Sequence, residues 1–177
     1  MMTDIDKTDV SNWIDLIPYD ENKFIKGSYE LKNHLIVIYK EEGNNYIKVI
    51  QLIDGNYDIS KSYNIEIEEE IKNIGFIGLD IYDTNIIWYT YDSLNTPVSL
   101  YEFNLDTKNK VLLREKEVPN FKKVDYECKR IYAESHDGVM VPMSIVYKKS
   151  MFKKDGKNPL YLYGYGSYGC LLYTSDA

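Results

Sequence analysis

The residues with the clearest chemical potential lie together near the end of the chain: Gly164-Tyr165-Gly166-Ser167-Tyr168-Gly169. They follow the apolar run Pro159-Leu160-Tyr161-Leu162-Tyr163, which reads as a short strand. Glycines at such spacing let a backbone turn sharply and approach another group closely. Three chemistries compete for the loop. Read mechanically it is G-x-G-x-x-G, the dinucleotide-binding fingerprint. That reading needs a βαβ unit, a helix opening at the loop and an acidic residue about 20 positions on. No βαβ pattern surrounds the loop, the sequence stops before such an acid, and Tyr165 and Tyr168 are bulky neighbours for a pyrophosphate. The second reading is the nucleophile elbow, G-x-S-x-G. Tyr165 stands where its first glycine belongs, and every serine in the chain fails the same test. The third is a hydroxyl donor. A tyrosine held between glycines is neutral near pH 7 and can donate a hydrogen bond to a developing anion. Residues alone leave Tyr165 open between that role and a packed aromatic at a strand end.

The other reactive side chains form no constellation. His34 and His136 are far apart in sequence and distant from the two cysteines, Cys128 and Cys170. The cysteines have neither metal-ligand spacing nor a disulfide framework, so a reducing, cytoplasmic setting is the simplest expectation. No metal and no organic cofactor is implied. The net charge of −7 argues against a nucleic-acid partner, which wants a basic face. The acidity reads as a solvated surface. The polar, acidic opening of the chain lacks the apolar core of a signal peptide. No run approaches the roughly 20 apolar residues of a membrane span, so no membrane partner is expected.

The elements that must position the loop are strands. Of 177 residues, 18 are tyrosine, and aromatics pack well on pleated surfaces. Residues 35–39 and 46–50 flank Glu42-Gly43-Asn44-Asn45 and predict a hairpin. Gly55-Asn56 is a turn signal, and residues 63–67 alternate cleanly. Residues 86–91, 98–105 and 110–116 read as three further strands, with turns at 92–97 and 106–109. The charge run at 68–72 reads as a solvated loop rather than a helical turn. A propeller blade takes four strands in about 40–45 residues. Residues 74–116 fit one blade, and 34–67 supply most of another. Periodicity alone does not separate a propeller from a β-sandwich. The character changes near Val118-Pro119-Asn120-Phe121, which places a domain boundary at about 118–125. Beyond it, residues 126–134 and 139–147 form a hairpin around His136-Asp137-Gly138, and 148–157 is a basic, polar linker.

From this point the residues resemble a known family. Tyr126-Glu127-Cys128-Lys129-Arg130, Asp137-Gly138, Val141-Pro142-Met143-Ser144, Val146-Tyr147 and the run from Asn158 to Gly169 are similar to the propeller-to-catalytic-domain junction of the prolyl oligopeptidase family. The Gly-Ser-Tyr-Gly ending resembles the oligopeptidase B branch more than prolyl oligopeptidase itself, which usually ends Gly-Gly-Phe. Tyr91-Asp92-Ser93-Leu94-Asn95-Thr96-Pro97 resembles an element of the last blades. The likeness covers roughly residues 13–169 and is specific from Tyr126 onward.

The resemblance implies a mainly β chain: the last two to three blades of a β-propeller over residues 1–120, then the first strands of an α/β-hydrolase domain over 121–169. It implies a serine-type oligopeptidase or endopeptidase acting on short peptides, with a preference for basic residues if the oligopeptidase B branch holds. Serine, aspartate and histidine of the triad would lie beyond this chain, so neither His34 nor His136 is expected to be catalytic. It also assigns Tyr165, the second tyrosine of Tyr-Gly-Tyr-Gly, as oxyanion-hole donor. Such a donor is worth about 10²–10³ in turnover. No substrate-binding residue is assigned, and oligomeric state is not legible. Residues 170–177 depart from the family and read as foreign sequence. An incomplete propeller leaves unpaired strand edges, which template association, so the chain alone is expected to fold poorly and to be inactive. The rival reading from another class is a non-catalytic β-propeller interaction module. A different α/β-hydrolase is a third.

Overall fold

The computed structural model describes residues 1–78 and 80–164. Two four-stranded antiparallel sheets and one two-stranded hairpin make up its regular structure. The first sheet runs β1 (Lys23–Glu30), β2 (His34–Glu41), β3 (Asn44–Ile53) and β4 (Asn56–Asn64), side by side in chain order. The second repeats the plan with β5 (Asn73–Ile77), β6 (Ile86–Ser93), β7 (Thr96–Asn104) and β8 (Lys110–Glu115). The hairpin is β9 (Tyr126–Glu134) with β10 (Met140–Lys148).

Local chemistry explains the turns. Glu42 and Gly43 both take positive φ, 49° and 77°, as do Asp54 and Gly55 at 50° and 77°. Two consecutive positive-φ residues make the type I′ turn, whose twist matches the flanking strands. Glycine at the second place removes the Cβ penalty there. Gly138, φ 82°, does the same for the β9–β10 turn.

The sheets stack face to face. In the first, Ile36 pairs with Val49 and Ile38 with Ile47. Ile36, Ile47 and Val49 join Ile74, Ile87, Tyr89, Tyr91, Phe103 and Leu105 in one buried cluster. The opposite face of the first sheet is buried as well at Val37, Tyr39 and Ile50. Residues 17–19 run across it beside Val37 and Tyr39. Burial on both faces is why 35–39 is an unbroken apolar run instead of an alternating one. The outer strand β8 is exposed along its length.

The hairpins at 35–50 and 126–147 and the blade at 74–116 form where expected. Three segments differ. Strand β1 escaped the pattern because a register shift between Ile25 and Gly27 breaks its alternation, and nearly all of it is exposed. Strand β4 ends at Asn64, so 65–67 continues as a loop, although the Ile65 amide still donates to the Ile47 carbonyl at 2.9 Å. Residues 160–163 form no strand; their side chains are 52–88% exposed, with no neighbouring strand among the described residues to complete a ladder.

Candidate functional site

Polar side chains converge where the loop between β4 and β5 meets the β6–β7 turn and the start of β9. Glu69 is the hub. Thr96 Oγ1 donates to both its carboxylate oxygens, at 3.0 and 3.1 Å. Lys123 Nζ forms an ion pair with it. The hydroxyls of Tyr91 and Ser93 lie close enough to favour the charged carboxylate as well. Burial pushes the Glu69 carboxyl up, but these donors outweigh it and hold the group below its ordinary value. The same burial, with the Glu69 charge added, pushes the Tyr91 hydroxyl up.

One position on, Glu70 Oε2 accepts from the backbone amide of Arg130 at 3.1 Å. Asn44 sits in the first sheet and meets both sides of the junction. Its Nδ2 donates to the Glu70 carbonyl at 2.9 Å. Its Oδ1 accepts from the Lys72 amide at 3.2 Å and from Arg130 Nη2 at 3.3 Å. Asn45 Nδ2 donates to Asn73 Oδ1, and Asn73 Nδ2 to Asp92 Oδ1, which ties β3 to β5 and β6. The run at 68–72 is the loop its charge predicts, exposed at Glu68 and Glu70, and its half-buried Glu69 serves as a clamp. Sequence reading missed Asn44, Glu69, Thr96, Lys123 and Arg130 because the partners lie 26 to 86 positions apart. No local signal marks such pairs.

The hairpin is braced in its own right. Lys129 Nζ donates to Tyr147 Oη at 3.2 Å, and Tyr147 stacks on Phe152 at 4.2 Å. The Lys149 amide donates to the Asp125 carbonyl at 2.8 Å, closing the base of the hairpin. Cys128 is a half-buried free thiol whose pKa burial pushes up. A raised pKa lowers the thiolate fraction and with it nucleophilicity.

Tyr165, the assigned oxyanion donor, lies outside the described residues, as does the supposed foreign tail 170–177. The described chain reaches Gly164, just past the exposed residues 160–163. The two histidines stay far from one another in role. His136 sits in the exposed β9–β10 turn, with Ser135 Oγ 3.3 Å from its Nδ1. His34 is buried at the start of β2, its Nε2 3.3 Å from Asp106 Oδ1. Burial lowers its pKa, partly opposed by the Asp106 charge. Among the described residues, no group of three or more His, Cys, Asp or Glu is placed to hold a metal. No helix among them is long and apolar enough to cross a membrane.

This geometry is a fold-bearing junction: two sheets clamped to a hairpin that leads into the glycine loop. Comparison with known proteins agrees with that plan. The family model described as "Prolyl oligopeptidase, N-terminal beta-propeller domain" matches residues 1–116. The chain is 30% identical over 162 residues to "Protease 2" of Moraxella lacunata, covering 91% of this chain and 22% of that protein. It is 28% identical over 165 residues to "Dipeptidyl aminopeptidase BI" of Pseudoxanthomonas mexicana, covering 93% and 22%. Among solved structures, oligopeptidase B from Trypanosoma brucei with covalently bound antipain, in its closed form, superposes with a TM-score of 0.80 at 25% identity. That match covers 86% of this chain and 22% of the other. The chain thus spans about 22% of the length of these relatives. The two four-stranded sheets are propeller blades, and the chain belongs to the prolyl oligopeptidase family of serine peptidases.

Proposed function

We propose that this chain is part of a serine oligopeptidase that hydrolyses short peptides. Residues 1–120 supply the propeller portion, and 121–169 begin the α/β-hydrolase portion. The triad of serine, aspartate and histidine comes from sequence beyond this chain. In this reading serine attacks the scissile carbonyl and histidine takes its proton. The oxyanion then accepts hydrogen bonds from Tyr165 and a backbone amide beside the serine. The clamp around Glu69 and Asn44 holds the hairpin against the propeller. The observation that carries this reading is the coverage of the match. Likeness to the peptidase relatives extends over 91–93% of the chain, well past the propeller match at residue 116.

Basic residues are the proposed cleavage preference, supported by the Gly-Ser-Tyr-Gly ending and by the likeness to oligopeptidase B. The proposed setting is the cytoplasm, in keeping with the free thiol of Cys128. The test uses the complete gene product. A serine-directed phosphonate should label it and abolish hydrolysis of short peptides, with arginine-containing peptides cleaved faster than proline-containing ones. Absence of both labelling and hydrolysis would leave the propeller as a binding module. Faster cleavage after proline would move the protein to the other branch.

A further inference from the structure

Beside the clamp, between the loop ahead of β5 and the second sheet, lies a small cleft. It has a volume of about 220 Å³ and is lined by Glu68, Glu69, Tyr89, Tyr91, Tyr101 and Lys110. Tyr89 and Tyr101 are directly opposite each other on β6 and β7, stacked at 5.4 Å with 17° between the rings. Lys110 already holds its ammonium 5.5 Å from the Tyr101 ring centre. Such rings attract cations through their quadrupole. Glu69 is occupied by the clamp, whereas Glu68 is exposed at the cleft. Tyr89, which lines the cleft, is 1% exposed, yet its hydroxyl has no hydrogen-bond partner. A buried hydroxyl without a partner is costly, so it marks a place where a donor or acceptor is missing.

We propose that this cleft is a binding site for one organic cation, a guanidinium or alkylammonium group. The group stacks on Tyr101, donates to the Tyr89 oxygen and pairs with Glu68. Glu69 is already paired with Lys123, so Glu68 is the carboxylate left to meet a cation. Whole-ligand pockets span about 300–1,000 Å³, so this smaller cleft takes a single side chain or chain end. Lys110 is then an internal competitor that the ligand displaces from the Tyr101 face. The source is a basic peptide side chain or a polyamine, which share this chemistry. The argument stands on the cleft alone and is independent of the peptidase reading.

The test is a calorimetric titration of the complete gene product with Nα-acetyl-arginine amide, Nα-acetyl-citrulline amide and spermidine. Citrulline keeps the shape of arginine and loses its charge. The cation should bind saturably, with citrulline weaker by about tenfold. Glu68→Gln, at an exposed position, should weaken binding about 3- to 10-fold, and Lys110→Met should strengthen it. Tighter binding of the arginine amide assigns the site to peptide side chains, and tighter binding of spermidine assigns it to polyamines. Equal binding of arginine and citrulline, no saturable binding, or indifference to both substitutions would overturn the proposal. Because hydrolysis is not measured, none of these outcomes bears on the peptidase reading.

Discussion

Arg130 Nη2 donates to Asn44 Oδ1 at 3.3 Å, joining the first strand of the hairpin to the first blade across 86 positions of sequence. The same Asn44 amide also satisfies the Glu70 carbonyl and the Lys72 amide. One buried side chain thus serves two backbone groups and one guanidinium. Replacing it leaves polar groups unpaired, which costs about 1–3 kcal/mol. Asn44→Ala should lower the urea midpoint accordingly. Arg130→Ala should cost less, and the double variant should cost less than the sum by about 0.5–1.5 kcal/mol. Strict additivity would show that the two residues are not coupled.

Glu69 predicts an acid limb of stability. Its folded-state pKa lies below the ordinary carboxylate value because the hydrogen bonds and ion pair outweigh burial. The unfolded chain therefore binds the proton more readily. The stabilisation is present above the unfolded value of about 4.3 and is lost as pH falls through the folded one. Glu69→Gln should be less stable than the parent at pH 7, by about 1 kcal/mol. The difference should shrink as pH falls below about 4.3. A gap independent of pH would show that the carboxylate charge is not what holds the clamp.

His34 predicts a second limb nearer neutrality. Burial lowers its pKa despite the Asp106 carboxylate 3.3 Å away. The unfolded state again binds the proton more readily. Stability is complete above the unfolded value of about 6.5 and declines as pH falls through the folded value. His34→Gln should flatten the stability profile below about pH 6.5. An unchanged slope would show that His34 does not titrate on unfolding.

Gly75 predicts a steric limit inside the second blade. A Cβ added there would lie 2.5 Å from Thr90 Oγ1, whose hydroxyl also donates to the Gly75 carbonyl at 3.3 Å. Gly75→Ala should destabilise by about 1–3 kcal/mol, the range for overpacking. Adding Thr90→Ala removes the clashing atom and should restore part of the loss. Equal instability of single and double variants would place the strain elsewhere.

Legibility followed the range of the interactions. The β2–β3 hairpin was readable because positive φ at Glu42 and Gly43 is a local demand met by local residue types. The second blade was readable because each of its strands pairs with a sequence neighbour. Strand β1 was hidden by its bulge at Ile25 and Gly27, which shifts the side-chain period. The 68–72 run was legible as an exposed loop but not as the seat of a clamp. Only the distant Thr96, Lys123 and Arg130 make it a clamp. The tyrosines of the cleft read as strand aromatics, and nothing in the spacing shows that the Tyr89 hydroxyl lacks a partner.

The central claim concerns Tyr165 and is tested most directly by the kinetics of Tyr165→Phe in the complete gene product. Loss of one preorganised oxyanion donor should lower kcat by about 10²–10³ and leave KM nearly unchanged. The loss should be specific to the hydroxyl, with the folded ring retained and the urea midpoint within about 0.5 kcal/mol of the parent. A kcat within a factor of about two of the parent would contradict the account, because a donor used in the transition state cannot be removed at so small a cost.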